Sequence, residues 1–167
     1  EAERARVEAA VPVTMICRDR LQRRPAFVLQ RGQYDRPGEA VEPDVPASLP
    51  PLPAGVARDR LALARWLCDP RHPLTARVAV NRLWQQVFGV GLVKTAEDFG
   101  RQADWPSHLD LLDWLAVHFV ESGFDVKGLI RLIVTSSVYR QAAVTRDDAQ
   151  AIDPENRLLA WFPRRRL

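Results

Sequence analysis

The sequence predicts a mainly α fold, a compact multi-helix domain preceded by a short strand pair and a proline-rich strap. Three observations predict it. From Arg58 onward apolar residues recur at the i, i+3, i+4 spacing of one helix face. Before that region lie two short β-prone runs, "VTMIC" and "AFVLQRG". Between them and the helices, six prolines fall at residues 37–53, which forbids a helix or a central strand there. At 167 residues the chain suits one domain, and 47% hydrophobic with 27% charged residues is the composition of a soluble globular protein.

Residues 1–36 read as an N-terminal segment, with a helical turn or two over 1–10 and then the strand pair, "VTMIC" against "AFVLQRG". Residues 37–57 read as an extended linker or strap, and residues 58–167 as the helical domain. In "RDRLALARWLCDP" the spacing puts Leu61, Ala64, Leu67 and Cys68 on one face and Pro70 at the stop. "LTARVAVNRLWQQVFG" is the next helix, with Gly89 just beyond its last apolar residue. "SHLDLLDWLAVHFVESG" starts with Ser107 followed three residues later by Asp110, the pattern of a capping box, and ends at Gly123. "DVKGLIRLIVTSSVYRQ" forms a fourth helix, and "DPENRLLAWF" a short fifth that Asp153-Pro154 opens.

Charge and cysteines exclude several classes. The formal charge is only +3, and basic residues alternate with acidic ones except in "RRR" at 164–166, so nucleic acid is not an expected partner. No apolar run approaches the roughly 18 residues of a membrane span. Cys17 and Cys68 are too few for a zinc site, and a disulfide between them and two lone buried thiols both fit the count. No C-x-x-C-H haem attachment occurs, and the three histidines, His72, His108 and His118, lack the i, i+4 spacing of a helical metal site. They read as surface or capping residues. "GVGLVKT", residues 89–95, has two glycines before Lys-Thr, yet Val93 precedes Lys94 and a helix precedes the loop, so it fails as a phosphate cradle.

A few polar residues fall where a helix should be apolar. On the second helix of the domain, Val80, Leu83, Trp84, Val87 and Phe88 define an apolar arc that takes in Arg77 and Asn81. On the fourth, the arc of Val126, Leu129, Ile130 and Ile133 takes in Ser136, Ser137 and Arg140. A buried arginine needs an acidic or carbonyl partner. Asp98 of "EDFG" is nearest in sequence, and Asp113 is the second candidate. Arg77, Asn81, Asp98, Asp113, Ser137 and Arg140 therefore form either a buried polar network or a site for an anion or glycan, or else the arginines meet helix-terminal carbonyls. Trp114 and Val117 project from the polar side of their helix, either under the strap or toward another domain.

The blocks "RLALARWLCDPRHPLTARVAVNRLWQQVFGVGLVKTAEDFG", "PSHLDLLDWLA", "SSVYRQ" and "DPENRLLAWFPRRRL" resemble, in order and spacing, the DUF1553 family, a bacterial family of unknown function best known from planctomycetes. "LQRGQYDRPGEAVEPDVPASLPPLP" is similar to that family's upstream segment. Leu109, Trp161 and Ala103 depart from the pattern. The resemblance implies the C-terminal region of a large exported protein, extracytoplasmic, with haem carried by a separate cytochrome-c-like domain and none in this region. The charged ends "EAERARVEAA" and "FPRRRL" likewise read as cut from a longer chain. The expected function is a helical module docking against other domains of its parent protein. The alternative is an enzyme or glycan- or anion-binding domain built on the Arg/Asn/Asp cluster. No nucleophile–base pair, metal constellation or cofactor loop marks a reaction.

Overall fold

The structure, a computed structural model, describes residues 1–12, 14–16, 18, 20 and 22–162. It is mainly α: α1 (Ala2–Ala10), α2 (Arg60–Leu67), α3 (Thr75–Phe88), α4 (Leu109–Glu121), α5 (Val126–Thr135) and α6 (Asp147–Ile152), with one antiparallel pair, β1 (Ala26–Leu29) and β2 (Pro37–Val41). Part of "VTMIC" lies outside the described residues, and the partner of "AFVL" is instead "PGEAV", inside the segment read as strap. Proline is tolerated there because Pro37 is the first residue of an edge strand.

The core is made by α3, α4 and α5 with the loop after α3. Val80, Trp84 and Phe88 on α3 meet Leu112, Leu115 and Phe119 on α4 and Leu129 and Ile133 on α5. Gly89 ends α3 at φ 90°, a conformation that favours glycine. At the end of α4 the amide of Phe124 donates to Phe119 O and that of Gly123 to Val120 O, while the rings of Phe119 and Phe124 meet edge to face at 5.3 Å. This is a Schellman closure with its accompanying apolar contact. Beyond α5 the chain folds back so that Tyr139 and Phe162 pack on Phe88, which stacks on Trp84 at 4.2 Å.

Several local expectations are corrected. On α2 the buried residues are Ala62 and Trp66, while Leu61, Ala64, Leu67 and Cys68 are exposed. The indole of Trp66 donates to Pro50 O at 2.6 Å, so the strap crosses α2 and the face toward it is the inner one. Cys68 is an exposed free thiol; the question of its pairing falls on Cys17, outside the described residues. Ser107 does not cap α4. The N-cap is His108, and Ser107 instead turns its amide and hydroxyl to Leu92 O, at 2.8 and 3.3 Å. Helix α5 ends at Thr135, where Ser136 turns extended at ψ 154°, so Ser136, Ser137 and Arg140 share no helix face with Leu129 and Ile133. The last helix is α6, upstream of "DPENRLLAWF", which forms turns around the buried Asp153.

Candidate functional site

The loop from Gly89 to Ser107 is held by side-chain hydrogen bonds along its length, and its constraint begins at Asn81. This residue is fully buried on α3. Its side-chain amide donates to Val93 O at 3.0 Å, and its side-chain oxygen accepts from Val93 N at 2.8 Å. A carboxamide can imitate a peptide group in this way, giving a buried backbone its missing partner. Gly91 passes so close that a Cβ would sit 2.5 Å from Val93 O and 2.6 Å from Asn81 Nδ2. The glycine in "GVGLVKT" is thus required by a close approach to Asn81, and Val93 spends its main-chain groups on the same side chain. Further along, Thr95 Oγ1 donates to Asp98 O and accepts from Asp104 N, while Asp98 Oδ1 accepts from Gly100 N at 2.6 Å.

These bonds hold one wall of a cleft of about 530 Å³. Its other wall is the turn after Asp153, whose Oδ2 accepts from Leu158 N at 2.6 Å; within the turn, Asn156 exchanges two hydrogen bonds with the backbone of Trp161. Lys94 and Glu155 meet across the opening at 3.5 Å. Asp104, Trp105 and Arg157 complete the rim, and Trp105 is 76% exposed.

The residues marked by the helical wheel lie in different places. Arg77 Nε donates to Asp113 Oδ1 at 2.6 Å and its NH1 to Pro73 O, so its carboxylate partner is Asp113 and not Asp98. The two side chains are 37% and 41% exposed, which makes the pair a half-solvated one, in the range of about 0.2–1 kcal/mol rather than a sealed charge. They line a second cleft of about 400 Å³ with His72, Pro73 and Val117. Asn81 faces the core and Asp98 closes its own turn. Ser137 and Arg140 are exposed on the segment after α5. Trp114 and Val117 are exposed too, Trp114 stacked on His118 at 5.4 Å, because the strap crosses α2 and leaves this face of α4 open.

Two sites carried only part of their signal in the sequence. His72 is buried, and its Nδ1 faces the amides of Leu74 and Thr75 at 3.3 and 3.2 Å, so it caps the start of α3, which Leu74 cannot cap. Beside it, the Arg71 side chain and then its amide bond Asp69 and hold that carboxyl down at about 2. The second is a cleft of about 560 Å³ where Arg18, Arg20, Arg23, Arg24, Arg58 and Arg60 meet Asp44 and Asp59. Asp44 pairs with Arg58, and Asp59 caps α2 by accepting from Ala62 N. Among the described residues no group of three or more His, Cys, Asp or Glu could hold a metal ion, and no helix is long and apolar enough to cross a membrane.

No curated protein and no solved structure matches the chain. A family model does, the one described as PSD1, protein of unknown function (DUF1553), over residues 59–167. The match begins at the cap of α2 and takes in the whole core, the Asn81–Val93 clamp and both walls of the Trp105 cleft. The chain belongs to the DUF1553 family.

Proposed function

We propose that this chain is a helical module of a larger, exported, extracytoplasmic protein, and that it docks there onto another domain of the same protein through its N-terminal strand pair. One observation carries the reading. Every residue of β1 and β2 is exposed, and Phe27, Val28, Leu29 and Val41 are between 39% and 55% exposed. A lone two-stranded hairpin is marginal in water, and among the described residues no further strand pairs with either of its outer edges. The strands make their substantial contacts with each other rather than with the helices, and they lie outside residues 59–167, which the family model matches. A partner surface would bury that apolar area and pair an edge by strand addition. The exposed Trp114 and Val117 offer a second contact on α4. The larger exported setting rests on the family resemblance.

Amide hydrogen exchange of residues 26–41 tests this reading. In the chain alone these amides should exchange within seconds, and in the longer protein they should be slowed by about a hundredfold or more. Equal rates in the two would sink the docking reading.

A further inference from the structure

We infer that the cleft around Trp105 is a binding site for a neutral saccharide, with the exposed indole as its stacking platform, a role that goes beyond docking and uses a different surface. The indole is the first argument. Trp105 is the most exposed tryptophan of those in the structure, at 76%, although a residue of this size ordinarily buries most of its surface. It is also held rigidly. The residue before it has its amide bonded to Thr95 Oγ1, the residue after it is Pro106, and Ser107 is bonded to Leu92 O. Proline restricts the backbone of the residue that precedes it, so the ring is presented from a fixed main chain. Little main-chain ordering entropy remains to be lost when a ligand covers it.

The polar rim is the second argument, because it selects among ligands. Lys94 and Arg157 supply two positive charges, Asp104 and Glu155 two negative ones. The set is balanced and holds strong donors and strong acceptors side by side. A nucleic acid or other polyanion needs a cationic surplus, which the described residues of the rim do not supply. A quaternary ammonium needs an aromatic box without competing cations, and Lys94 and Arg157 oppose it. A pyranose ring fits both halves of the site. Its C–H face is apolar and stacks on an indole, while each hydroxyl both donates and accepts around the edge. The Lys94–Glu155 pair is exposed at 3.5 Å, a loose contact that hydroxyls exchange at low cost.

Isothermal titration of the intact chain with neutral hexasaccharides (cellohexaose, xylohexaose, mannohexaose and laminarihexaose), and with a heparin-derived hexasaccharide as the anionic arm, tests the inference. At least one neutral sugar should bind with a Kd near or below about 1 mM. Trp105→Ala should weaken it by about tenfold or more, and Trp105→Phe, which keeps an aromatic face, by clearly less. Because Trp105 lies outside the core, the thermal midpoint of both variants should stay at the wild-type value. Binding of no neutral sugar, binding of the anionic sugar alone, or binding indifferent to Trp105→Ala would each overturn the proposal.

Discussion

Asn81 is the residue on which the ordered loop depends. Its removal strands the N–H and C=O of Val93, both within the core. A buried main-chain group left without a partner costs about 1–3 kcal/mol. Asn81→Ala is therefore expected to lower stability by about 2–5 kcal/mol, read as a shift of the denaturation midpoint at unchanged slope. Asn81→Leu keeps the branched four-atom skeleton in a bulkier, apolar form and should lose at least as much, since it removes the same bonds and adds crowding. Gly91→Ala pushes a methyl group into the same clamp and should cost about 1–3 kcal/mol. The double change should cost less than the sum, since either substitution already breaks the bonds that the other removes. Additive losses would mean that Gly91 acts elsewhere. The helical period marked Asn81 as polar among apolar neighbours, but its partner is main chain, and a periodicity of side chains carries no information about which backbone needs one.

Helix ends were legible where the chain supplied the local chemistry. Gly89 and Gly123 take the positive φ that closes a helix, whereas Asp125, read only as the first residue of the fourth helix, proves to be the cap of α5, accepting from Gly128 N at 2.9 Å. Asp125→Ala should cost about 0.5–2 kcal/mol, the value of an N-cap. Ser107→Ala should cost less than Asp125→Ala, about 0.5–1 kcal/mol, because it removes a long bond to Leu92 O and a contact with His108 Nδ1 at 3.1 Å while the amide bond to Leu92 O persists. Urea midpoints of the two variants decide the matter; a larger loss at Ser107 than at Asp125 would restore the serine as a cap. Ser107 matched the capping pattern by its spacing to Asp110, yet a tertiary acceptor took its amide and hydroxyl first. Helix α5 shows the same competition at its other end. Ser136 Oγ donates to Ile133 O at 2.6 Å and accepts from Tyr139 N, so a serine that fits the apolar arc by number ends the helix instead.

For the molecule as a whole, the core draws on α3, α4 and α5, and none of the described residues among 1–41 belongs to it. Deleting 1–41 is expected to leave the thermal midpoint unchanged, whereas deleting 1–58 should lower stability by about 1–3 kcal/mol, because it removes the Pro50 acceptor of the buried Trp66 indole and uncovers its ring. Equal midpoints for the two deletions would show that the strap adds no stability. The sequence by itself determined the mainly α class, the positions of α3 and α4, the apolar stripe of α3 and the family, because apolar period and helix-ending glycine are local properties of the chain. Tertiary structure decided which strand pairs with β1, which face of α2 turns inward, that Arg77 meets Asp113, and that Trp105 stands in a cleft with Lys94 and Glu155. Those outcomes join residues up to 61 positions apart, and they depend on which distant surface fills a space or completes a hydrogen bond, a competition that spacing along the chain does not encode.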